Sequence, residues 1–127
     1  MTFPVLNLGT AETDAEPVLD RDTALARVGG DADLLREIGL LFLQEYPREI
    51  TELRTAVGQR DAHRIERRAH SLKGSIATFG SGLAFETAFA LERQGRAGDL
   101  TDVEENLDRF ESVASRLCTE IQAFIGE

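Results

Sequence analysis

Apolar residues recur at intervals of three and four along most of this 127-residue chain, which is the spacing of one face of an α-helix. The clearest stripe lies near the C-terminus and consists of Val103, Leu107, Phe110, Ala114, Leu117, Ile121 and Phe124. A second stripe lies mid-chain and consists of Ala62, Ile65, Ala69, Leu72, Ile76 and Phe79. No segment alternates apolar and polar residues as a strand would. The pattern predicts an all-α protein.

Capping residues and glycines predict where the first helices begin and end. A short helix begins after Asp20 or Asp22 and ends at the Gly29-Gly30 pair, since acidic residues cap helix starts and glycines end helices. A long helix follows from Asp31 or Asp33. Its apolar positions are predicted at Leu34, Ile38, Leu41, Phe42, Ile50, Leu53 and Val57. Pro47 should kink or briefly break this helix, and Gly58 should close it.

The remaining helices follow from similar signals. Asp61 caps the third helix, and a fourth is predicted over residues 83–94, ending in the stretch Gly95-Arg96-Ala97-Gly98. Thr101 and Glu104 have the spacing of a capping box at the start of the last helix. Four long helices with short connections predict an antiparallel four-helix bundle, with a short extra helix at the N-terminus.

Composition narrows the class of protein. Residues 1–18 lack periodicity and are predicted to be a flexible arm, with the helical-bundle domain over residues 19–127. The net charge of −9 argues against nucleic acid as a partner. Because no long apolar run or signal-peptide pattern is present, we expect no membrane association. The single cysteine, Cys118, fits a reducing compartment, so the cytoplasm is expected.

The segment around His70 carries the candidate chemistry. On a helical projection His70 lies about 130 degrees from the centre of the apolar stripe, with Lys73 and Gly74 beside it. A glycine inside a helix costs roughly 1 kcal/mol relative to alanine, and Gly74 lies away from the predicted core. We therefore interpret it as clearance for a bulky partner. The segment from Arg60 to Gly80 contains five basic residues and two acidic ones, so the surroundings of His70 are locally basic.

Other chemical sites are disfavoured by spacing. His63 and His70 are seven residues apart, about 10 Å along a helix, which is too far for a shared metal ion. Ser71 and Ser75 point away from His70 and supply no nucleophile for a hydrolase triad. The chain contains no phosphate-binding glycine loop. A phosphoryl group on His70 would therefore have to come from another protein.

The stretch Arg68-Ala69-His70-Ser71-Leu72-Lys73-Gly74-Ser75, followed by Phe79-Gly80, closely resembles the phosphoacceptor helix of histidine-containing phosphotransfer (HPt) domains. The resemblance extends to Gly29-Gly30-Asp31, Phe42, Pro47, Leu91-Glu92 and Gly95-Arg96, and covers about residues 18 to 125. It implies a four-helix bundle that relays a phosphoryl group between aspartates of response-regulator receiver domains.

The resemblance also implies roles for single residues. His70 matches the phosphorylated histidine, and Lys73 matches the cation that helps to hold the phosphoryl group. Gly74 matches the glycine that lets the receiver approach. Glu92 matches a position that often carries Glu or Gln near the imidazole, where it would fix the tautomer. An ordinary surface acid is the alternative for Glu92.

Candidate docking residues for the receiver are Arg67, Ala77, Phe85 and Phe89. The arginine could steer an acidic partner or simply be a solvated charge. Phe85 and Phe89 are four residues apart on one helix face, and they could be core residues or part of an apolar docking patch. Family members usually carry leucine where this chain has Ala84, so the packing of that helix is left open.

The predicted function is a cytoplasmic, monomeric phosphocarrier without its own ATP site. Its partners would be receiver domains and a hybrid sensor histidine kinase. It needs no cofactor of its own, because the resemblance implies that the receiver supplies Mg²⁺. Two alternatives are a helical adaptor that is never phosphorylated and a module excised from a larger kinase. The initiating methionine disfavours the second.

Overall fold

Five α-helices make up residues 17–127, the part of the chain that the computed structural model describes. They are α1 Arg21–Arg27, α2 Ala32–Gly58, α3 Ala62–Ala77, α4 Gly82–Ala97 and α5 Val103–Ile125. No β-strand occurs among these residues, so the predicted all-α class is confirmed. Most of the predicted arm, residues 1–16, lies outside the described residues. No described helix has both the length and the hydropathy needed to cross a bilayer.

Each of the four long helices packs on two neighbours. α2 and α4 both lie beside α3 and α5, and within residues 17–127 the backbones of α2 and α4, like those of α3 and α5, do not approach each other closely. Because the connections are short, consecutive helices run antiparallel. The most extensive contact is the one between α3 and α4, which fixes the relative position of the side chains around His70.

The core forms mainly where the apolar stripes predict it. Every residue of the α5 stripe is buried, as are the α3 positions from Ile65 to Phe79. Along α2 the prediction was wrong at Leu34 and Leu41, which are 40% and 49% exposed, whereas Leu35 is buried. Adjacent apolar residues make the helix face ambiguous in sequence. The packed face follows Leu35 and Phe42, which are seven residues apart and therefore on the same side.

Aspartate side chains begin three helices as predicted. Asp20, Asp31 and Asp61 each accept a hydrogen bond from the backbone N–H three residues later. The predicted capping box of Thr101 and Glu104 was wrong, because α5 begins at Val103 after Asp102, whose side chain makes no capping bond. Glu104 instead forms an ion pair with Arg60 at 2.9 Å. Arg60, in the connection between α2 and α3, thus binds the carboxylate that would close a capping box.

Neither Pro47 nor Gly95 interrupts its helix. α2 runs through Pro47 without a break, and the Thr51 hydroxyl donates to the Pro47 carbonyl at 2.8 Å. α4 continues three residues beyond the predicted last residue, Gln94, to Ala97, and Gly98 of the predicted stop ends it in the left-handed region at φ 71°. Gly95 is buried against α3, so it serves helix packing rather than helix termination.

The segment before α1 is fastened to the bundle. The carboxylate of Glu120 accepts from the backbone N–H groups of Val18 and Leu19, at 2.9 and 2.7 Å. The N–H of Asp20 donates to the Phe79 carbonyl at 3.1 Å. These bonds hold α1 at the end of the bundle where α3 turns into α4.

Candidate functional site

His70 projects from α3 on the side away from the core. Its side chain is 67% exposed, as the helical projection predicts, and Nδ1 lies 3.1 Å from Oε2 of Glu92. A carboxylate can only accept a hydrogen bond, so this contact requires the proton on Nδ1. The lone pair of the neutral ring is then on Nε2, the nitrogen that Glu92 does not bind.

Glu92 is the buried centre of the site. Its side chain is only 2% exposed, and Oε1 lies 2.8 Å from Nζ of Lys73. Oε2 contacts Arg96 Nη2 at 2.6 Å as well as His70. Burial opposes ionisation of Glu92, but hydrogen bonds from Lys73 and His70 outweigh it and lower the pKa of the carboxyl below its usual value. The site therefore contains a carboxylate rather than a carboxylic acid.

Lys73 is held from two directions. Besides its ion pair with Glu92, its Nζ lies 4.6 Å from the ring centroid of Phe89 and 5.6 Å from that of Phe85. A cation over an aromatic face is attracted by the ring quadrupole. Both rings are half-buried, and Phe85 also packs against the core. Phe85 and Phe89 thus line the edge of the core and contact Lys73. Their part in an apolar docking patch stays a prediction.

Gly74 faces open space. A Cβ built on it would meet no neighbouring atom within 4 Å, so close helix packing does not explain the glycine. This supports the clearance interpretation. Ala77, one turn further along α3, is half-buried, and its carbonyl accepts a hydrogen bond from Arg27 of α1.

A shallow cleft borders the imidazole on the side towards the start of α3. Its lining residues are His63, Glu66, Arg67, His70, Glu92 and Arg96. Arg67 is exposed there and forms no ion pair with any other described residue. His63 is also exposed in the cleft. Across residues 17–127 no cluster of three or more His, Cys, Asp or Glu side chains could hold a metal ion.

The part of the site that sequence reasoning missed is the salt bridge between Arg96 and Glu66. Nε of Arg96 lies 2.9 Å from Oε2 of Glu66, which joins α4 to α3 beside His70. The spacing of Glu92 and Arg96 at i and i+4 could have suggested their contact. The partnership with Glu66 depends on the way the two helices cross, which no local spacing reveals.

Comparisons with known proteins agree with this arrangement. The family model described as Hpt domain matches residues 37–125. The fold is similar to that in the crystal structure of histidine-containing phosphotransfer protein B (HptB) from Pseudomonas aeruginosa PAO1, with a TM-score of 0.80 and 20% sequence identity. That match covers 88% of this chain and 97% of the other. A search of the curated proteins finds no match. Because the family model spans well over half of the sequence, this chain belongs to the Hpt domain family of histidine phosphotransfer proteins.

Proposed function

We propose that the chain accepts a phosphoryl group on Nε2 of His70 from an aspartate of one receiver domain and passes it to another receiver. The observation that carries this proposal is the contact between His70 Nδ1 and the buried Glu92 carboxylate. It sets the tautomer and the ring orientation while most of the imidazole stays exposed. A nucleophile fixed in this way needs little reorganisation when a phosphoryl donor arrives.

The proposed transfer forms one bond to phosphorus and breaks another, and it needs no second reacting group from this chain. The Nε2 lone pair forms the N–P bond as the P–O bond of the aspartyl phosphate breaks, and the electron pair leaves with the aspartate carboxylate. The proton stays on Nδ1, so the ring becomes a cation facing Glu92. That carboxylate stabilises the positive charge, and its own low pKa keeps it ionised.

The surrounding cations support the same proposal. Lys73 is ion-paired with Glu92, and Arg67 lines the cleft beside the ring, so positive charge can approach the phosphoryl oxygens. In the proposed reaction Mg²⁺ and the acidic pocket belong to the receiver. A hybrid sensor kinase is the proposed source of the phosphate, and the cytoplasm is the proposed place of the reaction, with the chain acting as a monomer.

The direct test is transfer of label from a ³²P-phosphorylated receiver to the purified protein. We expect the label to be acid-labile and alkali-stable, as a phosphoramidate bond is, and peptide mapping to place it on residue 70. The unphosphorylated receiver is the control. Absence of label on the chain, or label on His63 or on a serine, would contradict the proposal.

Substitution of Gly74 should distinguish access of the receiver to His70 from the reactivity of the imidazole itself. Glutamine forms helices better than glycine by roughly 0.5 kcal/mol and would meet open space here, so Gly74→Gln is expected to keep or slightly raise Tm. Transfer from a receiver should slow by about tenfold or more through steric overlap, while labelling by the small donor phosphoramidate stays within about twofold of wild type. The two rates and a thermal melt check this.

The matched control is Ser71→Gln, which adds the same side chain at an exposed position of α3 that points away from His70. Its receiver-dependent rate should be close to that of the wild type. Equal receiver-dependent rates for Gly74→Gln and Ser71→Gln would refute the clearance interpretation.

A further inference from the structure

A groove between α2 and α3 opens near the site and takes no part in the proposed chemistry. Its volume is about 160 Å³, and its buried lining includes Phe42 of α2 together with Leu72 and Phe79. Ser75 also lines it and directly follows Gly74. The groove therefore adjoins the open face of α3 over which a receiver would reach the imidazole.

Glu49 brings an unsatisfied acceptor to this groove. Its side chain is half-buried and lines the groove. Its Oε1 atom is buried and accepts no hydrogen bond from any residue of the described range 17–127. Leaving a buried acceptor unpaired destabilises a fold, so such atoms are uncommon and require an explanation. A donor supplied by a partner would satisfy this oxygen.

The groove combines apolar surface with negative charge. Glu45 and Glu49 both line it, and among residues 17–127 its lining includes no Lys, Arg or His. Leu41, which is 49% exposed, adds apolar surface. A matching occupant needs an apolar stem and a cationic head. Lysine and arginine side chains have both.

The size of the groove favours an inserted side chain over a free small molecule. Pockets for drug-sized ligands have volumes of about 300 to 1,000 Å³, whereas this groove has about 160 Å³. Small pockets at protein interfaces are typically filled by one anchoring side chain of the partner. The occupant is therefore best explained as part of a docked protein.

The arrangement of charge around His70 fits the same partner. The cleft towards the start of α3 contains the exposed cation Arg67, whereas the groove towards the end of α3 contains Glu45 and Glu49. Charges of opposite sign at two places on one face fix the register of a docking protein.

We propose that the groove between α2 and α3 binds a lysine or arginine side chain of the receiver that docks on His70. The alkyl stem would lie against Phe42 and Phe79, and the cationic head would donate to Glu49. This inference rests on the proposed function and adds a contact away from the reacting atoms. Glu49 then contributes to recognition of the receiver and not to transfer of the phosphoryl group.

Glu49→Gln removes the charge and keeps the size of the side chain. For a receiver that labels the wild type, calorimetric titration at low ionic strength should show Kd raised about tenfold or more. The rate of transfer at saturating receiver should stay within about twofold of the wild type, since the reacting atoms are unchanged. Tm should be equal or slightly higher, because a buried unpaired charge is removed.

The matched control is Glu105→Gln, which removes the same charge from an exposed position of α5 outside the described lining of the groove. Its Kd should equal that of the wild type. On the receiver, each exposed Lys and Arg is replaced by Ala in turn. For one of them the loss of affinity should be much smaller with Glu49→Gln than with the wild type, as for two residues in direct contact.

Several outcomes would overturn the inference. Equal Kd values for Glu49→Gln and Glu105→Gln would do so, as would a receiver without any cation coupled to Glu49. A clearly lower Tm of Glu49→Gln would mean that the carboxylate serves the fold itself. A dimer of the wild type that Glu49→Gln abolishes would assign the groove to a second copy of this chain.

Failure of the groove contact is distinguishable from failure of the proposed function. If a receiver labels His70 but its Kd does not depend on Glu49, only the groove inference fails. If no receiver labels His70, the proposed function fails, and the inference that rests on it fails too.

Discussion

His70→Gln is expected to abolish phosphoryl acceptance, with labelling reduced at least about a thousandfold and so to background. The side-chain amide has no basic lone pair on nitrogen that could attack phosphorus. Since the His70 side chain is 67% exposed, glutamine fits without disturbing the core, and Tm should change by only a few degrees. The measurement is transfer from a ³²P-labelled receiver, with circular dichroism to confirm the helical fold.

The matched control is His63→Gln, which removes an exposed histidine from the same helix and the same cleft. It should retain nearly full labelling. A binding titration of His70→Gln with the receiver should show that docking survives. A wild-type protein that binds the receiver but takes no label would instead be the adaptor. Labelling of His70→Gln close to the wild-type rate would exclude the phosphoacceptor role of this residue.

Much of this site follows from short-range rules. The exposed position of His70 depends only on the angle between it and the stripe of Ile65, Ala69 and Leu72 on one helix. The same arithmetic places Gly74 next to the ring and away from the core. Periodicity fixes these features because all of the residues involved lie within three turns of α3.

Features that depend on contacts between helices were harder to predict. Leu34 and Leu35 are both apolar, and only packing against the rest of the bundle decides that Leu35 is buried. The salt bridge between Glu66 and Arg96 joins residues 30 positions apart. Its existence depends on the spacing between α3 and α4, and a single sequence contains no local signal for that spacing.

The two glycines inside α3 and α4 show that one residue type can have two different structural roles. Gly74 and Gly95 both lie inside helices, so propensity alone assigns each the same cost. Gly74 faces open space, whereas a Cβ on Gly95 would collide with the backbone of α3. Gly95 belongs to the stretch predicted to end the helix, yet α4 continues through it to Ala97, because close packing can also require the absence of a side chain.

Gly95→Ala should therefore be strongly destabilising, although alanine is the better helix former. A Cβ at this position would lie 2.5 Å from the backbone nitrogen of Glu66 and 2.6 Å from the carbonyl oxygen of Ala62. Backbone atoms cannot rotate away, so α3 and α4 must separate. Because the atoms in the way are backbone atoms, we take the upper end of the usual cost of overpacking, about 3 kcal/mol, against a gain of about 1 kcal/mol in helix propensity. We expect a net loss of about 2 kcal/mol, or roughly 8 °C in Tm.

The effect should extend to the chemistry, because Gly95 lies between Glu92, which contacts His70, and Arg96, which contacts Glu92. Even well below its Tm, Gly95→Ala should label more slowly with phosphoramidate, since a displaced Glu92 no longer fixes the ring.

Gly74→Ala is the matched control: the same substitution in open space should raise the unfolding free energy by up to about 1 kcal/mol. Thermal and urea unfolding of both variants measure the contrast. Equal stability changes would mean that close approach of α3 and α4 at Gly95 does not hold the site together.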